Sequence, residues 1–119
     1  MKADILTEAL NDLEGSPLSS VELVQDYIQF RFDGSTLTSY TRPLIHLGVS
    51  TVRWGEPGYG DHLHAIVGSR LTRSYVTDKE VNLGFETGTR ISISLKDEDY
   101  RGPEALELRR SPNGPWIVV

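Results

Sequence analysis

Hydrophobic and polar residues alternate most cleanly at Ile28, Phe30 and Phe32, with Gln29, Arg31 and Asp33 between them. A period of two puts one set on a buried face and the other in water, so this segment reads as a half-buried strand. Asp33-Gly34 is a two-residue turn signal, because the central positions of such a turn favour positive φ. Residues 36–41 return as the partner strand, β-branched and aromatic. Upstream, Ile5, Leu6, Ala9, Leu10 and Leu13 recur at the spacing of an amphipathic helix over residues 3–14. Gly15 is placed to end that helix, and Pro17 prevents its continuation. Residues 18–24 read as a strand, Pro43 marks an edge or an exit, and residues 49–54 read as a fourth short strand.

A second series follows. Residues 61–67 predict a short helix between an Asp61 N-cap and Gly68, with Leu63, Ile66 and Val67 as its buried side. Residues 71–77 and 80–85 predict strands, Thr87-Gly88 a turn, and residues 90–96 the return strand. In that strand Ile91, Ile93 and Leu95 point inward and Ser92, Ser94 and Lys96 outward. A short strand ends at Leu108, Asn113-Gly114 reads as a turn, and the apolar end, residues 116–119, predicts attachment to a sheet edge.

The two series match without a gap when residues 13–33 are laid on residues 66–86, an offset of 53. Gly15-Ser16 falls on Gly68-Ser69, Leu18 on Leu71, and Phe32 on Phe85. One extra residue in the following turn brings Leu37 to Ile91 and Gly48 to Gly102. Glycines are positioned by backbone need rather than burial, so their coincidence weighs more than shared alternation. The expected fold class is α+β and β-rich, an internally duplicated helix-plus-four-strand unit within one domain, residues 1–119. The first copy spans 3–54, a linker 55–60, and the second copy 61–119. The expected architecture is a curved antiparallel sheet, barrel-like or two-layered, with two short helices.

Composition narrows the function classes. A chain of 119 residues supports a single core. The absence of cysteine removes disulfides and thiolate chemistry and fits a reducing cytoplasm. No apolar run approaches a membrane span, and the N-terminus carries acids where a signal peptide would carry an apolar core. The formal charge is −5, and the basic residues Arg31, Arg42, Arg53, Arg70, Arg73, Arg90 and Arg101 are scattered along the chain. Nucleic-acid binding is therefore not expected, whereas a basic protein partner suits the charge. Gly-rich residues 55–60 lack the Lys-Ser/Thr ending of a phosphate-binding loop and read as a linker.

Catalytic constellations are not evident. His46, His62 and His64 lack the helical metal spacings of three or four residues, and no Gly-x-Ser-x-Gly elbow occurs. No metal, cofactor or enzymatic activity is expected. The candidates for partner contact are the acidic ridge Asp4, Glu8 and Asp12, the acidic turn Asp97, Glu98 and Asp99, and the loop aromatics Trp54, Tyr59 and Tyr100. For each acidic group the plainer reading is a solvated surface, and for each aromatic it is partial burial under a loop.

The Gly-Ser pair before a strand, the Phe-acid-Gly turn and the run Tyr100-Arg101-Gly102-Pro103-Glu104-Ala105 resemble small bacterial proteins of uncharacterised families. Some members of those families are thought to be immunity proteins of polymorphic toxin systems. The resemblance implies a cytoplasmic, non-catalytic protein-binding module that neutralises a basic toxin domain, and brings no catalytic residues. The alternatives are a small-ligand-binding barrel-like protein and, third, an uncharacterised enzyme. A homodimer stays open under each.

Overall fold

Alternation builds the first hairpin as the sequence predicts. The computed structural model describes residues 2–110 and 116–119. Helix α1 (Lys2–Asn11) leads into strands β1 (Leu18–Val24), β2 (Tyr27–Phe32) and β3 (Ser35–Ser39). Ile28, Phe30 and Phe32 of β2 are buried, while Tyr27, Gln29 and Arg31 are partly exposed. Gly34 takes φ 77 in the β2–β3 turn, a conformation that favours glycine there. Helix α1 stops three residues short of its expected end. Beyond it the chain tightens, with the N–H groups of Leu13 and Glu14 donating to carbonyls three residues back (2.9 and 3.1 Å).

The fourth strand differs from expectation. Only Thr51–Val52 of the expected strand pairs, as β5, and the longer element is β4 (Leu44–His46). Pro43 precedes β4, where a missing N–H breaks no ladder bond. Gly48, at φ 82, turns the chain between β4 and β5, with the Leu47 N–H donating to the Ser50 carbonyl (2.8 Å).

Helix α2 (Tyr59–Ala65) begins after Gly58, so Asp61 lies in its first turn rather than at its N-cap, and the expected linker gives up its last two residues. Leu63 and Ile66 are buried as expected, whereas Val67, past the helix end, is half exposed. Strands β6 (Leu71–Val76), β7 (Glu80–Phe85) and β8 (Arg90–Ser94) follow. After them come a 3-10 turn (Asp97–Asp99), β9 (Leu106–Arg110) and β10 (Trp116–Val118). The apolar C-terminal stretch pairs with β9 at a sheet edge, as its composition predicts. The Asn113-Gly114 turn lies outside the described residues.

Two five-stranded antiparallel sheets result, ordered β1-β2-β3-β9-β10 and β5-β4-β8-β7-β6. Neither is closed, so of the two expected arrangements the chain forms two separate antiparallel sheets and not a closed barrel. Phe30 and Leu37 from one and Leu83 and Ile91 from the other share one buried cluster with Leu6 and Leu10 of α1 and Leu63 of α2.

Elements from the two halves of the chain are interleaved. β9 and β10 complete the sheet begun by β1–β3, while β4 and β5 complete the sheet of β6–β8. Helix α1 packs on β6, and α2 lies against β1. Where α1 ends, the Glu14 carboxylate accepts bonds from the N–H and Oγ of Ser74 on β6 (2.7 and 3.0 Å). An antiparallel bridge joins Pro17 to Arg70, flanked by reciprocal bonds. Gly15 N–H donates to the Leu71 carbonyl and Gly68 N–H to that of Leu18, both at 2.7 Å. The crossing from β3 to β4 is pinned by Thr41, whose Oγ1 donates to the Ser94 carbonyl (3.0 Å). Among the described residues no helix is long and apolar enough to cross a membrane.

Candidate functional site

The acidic ridge is real as a surface. Asp4, Glu8 and Asp12 are all exposed on α1. Beside them Ile5 leaves 54% of its surface in solvent, an apolar side chain among carboxylates. The helix borders β10, and between them lies an open groove of about 370 Å³ lined by Ile5, Glu8, Asp12, Arg110 and Ile117. Asp12 is partly neutralised there, since Arg110 Nη2 sits 2.9 Å from its carboxylate. Asp4 and Glu8 appear in no ion pair of the described residues.

The acidic turn lies elsewhere. Asp97, Glu98 and Asp99 are exposed and Tyr100 is half exposed, in the connection after β8. Asp99 is engaged locally, accepting a bond from Ser94 Oγ (2.5 Å) with Lys96 at 3.9 Å. It lines a different depression from Glu8 and Asp12, so the structure does not gather the two acidic groups into one site.

Of the loop aromatics, Tyr100 adjoins the acidic turn, while Trp54 and Tyr59 lie apart from both acidic groups. Tyr59 is buried, which removes it as a contact candidate and agrees with the plainer reading of burial under a loop, and its hydroxyl donates to the Pro43 carbonyl at 2.6 Å. Burial pushes its phenol pKa well above the usual value, so the ring stays a neutral donor. Trp54 is half buried and meets Tyr59 edge-on, with ring centres 5.7 Å apart, while the Arg42 guanidinium covers the indole at 4.3 Å. Loop and aromatic residues thus staple the start of α2 to the β3–β4 crossing. The sequence shows aromatics near glycines but not which long-range carbonyl they reach.

The outer face of the second sheet carries a polar network that the sequence did not announce. His46 Nε2 is 2.8 Å from Ser92 Oγ, and its Nδ1 is 3.2 Å from Thr51 Oγ1. Although Ser92 points outward as the alternation predicts, it retains only 5% exposure. Burial, and then the positive charge of Arg90 and Arg53, holds the His46 pKa below its usual value, with Glu80 opposing. The folded chain therefore resists protonation of His46, and below about pH 6.5 the unfolded chain binds a proton that the folded chain does not. Stability is expected to fall as pH drops from 7.5 to 5.5, and His46→Gln to remove that part of the fall. Urea midpoints of both proteins across this window check it.

Next to this network opens a second depression of about 370 Å³ with Ser92 and Ser94 in its lining and cationic side chains around it. Among the described residues no group of three or more His, Cys, Asp or Glu side chains is arranged to hold a metal ion. His62 and His64 sit two residues apart on α2, a spacing that turns them to different sides of a helix. No protein-family model, curated protein or solved structure matches the chain.

Proposed function

We propose that the chain is a non-catalytic protein-interaction module whose contact face is the groove between α1 and β10. The observation that carries this reading is the exposed Ile5, which lines that groove with the carboxylates of Glu8 and Asp12, with the exposed Asp4 next to it in sequence. An apolar anchor with a charged rim is the usual anatomy of a binding patch, and its acidity selects a basic partner. Docking on a basic toxin domain, in the manner of a bacterial immunity protein working in the cytoplasm, fits that chemistry. The apolar-cavity alternative draws less support, because the depressions at this surface are open and lined with charged residues.

We also read residues 3–54 and 61–119 as copies of one ancestral unit. Strand-pairing irregularities at Leu18/Ser20 and Leu71/Arg73 support it, as do the left-handed Gly15 and Gly68. So do the bonds from Ser19 Oγ to the Arg31 carbonyl and from Thr72 Oγ1 to the Gly84 carbonyl. Each of these pairs is separated by the same offset of 53 that aligns the sequence.

The test of the binding role is reversal of the ridge. Asp4→Lys with Glu8→Lys is expected to weaken a stoichiometric basic partner at least about tenfold, and to lessen the salt dependence of binding. Asp12 is kept because it holds Arg110. Ile5→Asp is expected to weaken the same complex. Unchanged affinity in both variants would remove the groove from the interface.

A further inference from the structure

Five basic residues from separate parts of the sequence meet at one place in the fold. Arg42, Arg53, Lys79, Lys96 and Arg101 all line the depression beside Ser92, against only two carboxylates, Glu80 and Asp99. Both carboxylates have local partners. Glu80 lies 3.8 Å from Arg90, and Asp99 accepts the Ser94 hydroxyl and faces Lys96. Among the described residues, the side-chain cations of Arg42, Arg53, Lys79 and Arg101 have no carboxylate within ion-pair distance, and the nearby Glu56 carboxylate accepts the Arg53 backbone N–H (2.5 Å). A chain with 17 acidic residues thus leaves four cations unpaired around a single depression. Like charges gathered this way repel one another unless an anion lies between them.

Hydrogen bonds to the backbone fix the segments that carry Lys79 and Lys96. The Thr77 hydroxyl accepts bonds from the N–H groups of Lys79 and Glu80 (both 3.1 Å), fixing the turn that carries Lys79. The Leu95 N–H donates to the Lys79 carbonyl (2.8 Å), which ties that turn to the segment carrying Lys96. The Arg42 guanidinium sits over the Trp54 ring, 4.3 Å from its centre. Hydroxyls of Ser92 and Ser94 add short polar groups to the lining.

We infer that this depression binds a small phosphorylated molecule, with its phosphoryl group between Arg42, Arg53, Lys79 and Arg101. A multiply charged tetrahedral oxyanion accepts hydrogen bonds from several sides at once, which suits guanidinium and ammonium donors arriving from separate segments. The volume is in the range of small-molecule sites. A long polyanion fits less well, because outside the depression Arg31, Arg90 and Arg110 are ion-paired with Glu22, Glu80 and Asp12, and the exposed Arg73 and Arg109 lie on different sheets. The site shares no lining residue with the α1–β10 groove and stands or falls independently of it.

Calorimetric titration of the full chain with inorganic pyrophosphate, at fixed ionic strength, tests the inference. Saturable binding of one pyrophosphate per chain is expected, with a dissociation constant below about 1 mM. Lys79→Glu with Arg101→Glu is expected to weaken it at least about tenfold, and Arg53→Ala to weaken it in the same direction. These residues are exposed, and retained urea midpoints establish that the variants fold. Arg73→Glu with Arg109→Glu changes the net charge equally at exposed positions outside the depression and is expected to leave binding within about twofold. Absence of saturable binding, or equal weakening by the two charge-reversed pairs, would overturn the site. Displacement of pyrophosphate by a single-stranded oligonucleotide at much lower phosphate concentration would overturn the small-molecule class.

Discussion

Separated at the loop between β5 and α2, the two half-chains 1–56 and 57–119 are each expected to be unfolded as monomers and to fold when mixed. The reason lies in which elements cover which. Residues 1–56 carry β1–β3, but the strands that extend that sheet, β9 and β10, belong to the other half. Their β4 and β5 have no β8 to pair with, and α1 has no β6 to cover. What remains is a three-stranded meander with Ile28, Phe30, Phe32 and Leu37 facing water, and so short a chain buries too little apolar surface to offset its conformational entropy. The whole folding free energy, on the order of 5–15 kcal/mol for a domain, is at stake. Circular dichroism and urea unfolding of each fragment, alone and in equimolar mixture, measure it. A cooperative transition in monomeric 1–56, unchanged by adding 57–119, would contradict the interleaving.

Phe30→Ala is expected to destabilise the intact chain by about 3–5 kcal/mol. Phe30 is fully buried on β2, opposite Leu37 of β3 and Val21 of β1, so it packs between both neighbouring strands. Removing the ring forfeits its transfer free energy and leaves a cavity that two hydrogen-bonded neighbours hold open. Tyr75→Ala, at an exposed position on β6, is expected to shift stability by no more than about 0.5 kcal/mol. Urea denaturation of both variants decides the matter, and a Phe30→Ala loss below about 1 kcal/mol would mean that β2 does not face the core.

Local structure was legible wherever neighbours in sequence decide it. Residues 27–32 announce their strand because buried and exposed positions alternate, and Asp33-Gly34 announces its turn because positive φ suits that pair. The partnering was not legible. β4 is three residues long, follows a proline and pairs with β8 more than forty residues later, so nothing local marks it. Alternation also places Ser92 outward but does not show that His46 covers it. For the sites, the ridge on α1 followed from helical spacing, since positions four apart share a side. Tyr59 stood as a contact candidate because it lies in a loop by sequence, while the Pro43 carbonyl that receives its hydroxyl lies sixteen residues away. The cationic depression was invisible for the same reason as β4. Its side chains come from the β3–β4 crossing, the end of β5, the β6–β7 turn and the two sides of the 3-10 turn, and only the fold brings these together.

On the proposed function, partner contact runs through the acidic groove between α1 and β10. Amide chemical-shift mapping of the labelled chain against its stoichiometric, co-purified basic partner tests it most directly. Perturbations are predicted along residues 4–12, at Arg110 and over 116–118, with the sheet face around Ser92 unmoved. Perturbations confined to the surface around Arg42, Lys79 and Arg101, with α1 silent, would contradict the account and place the partner at the basic depression.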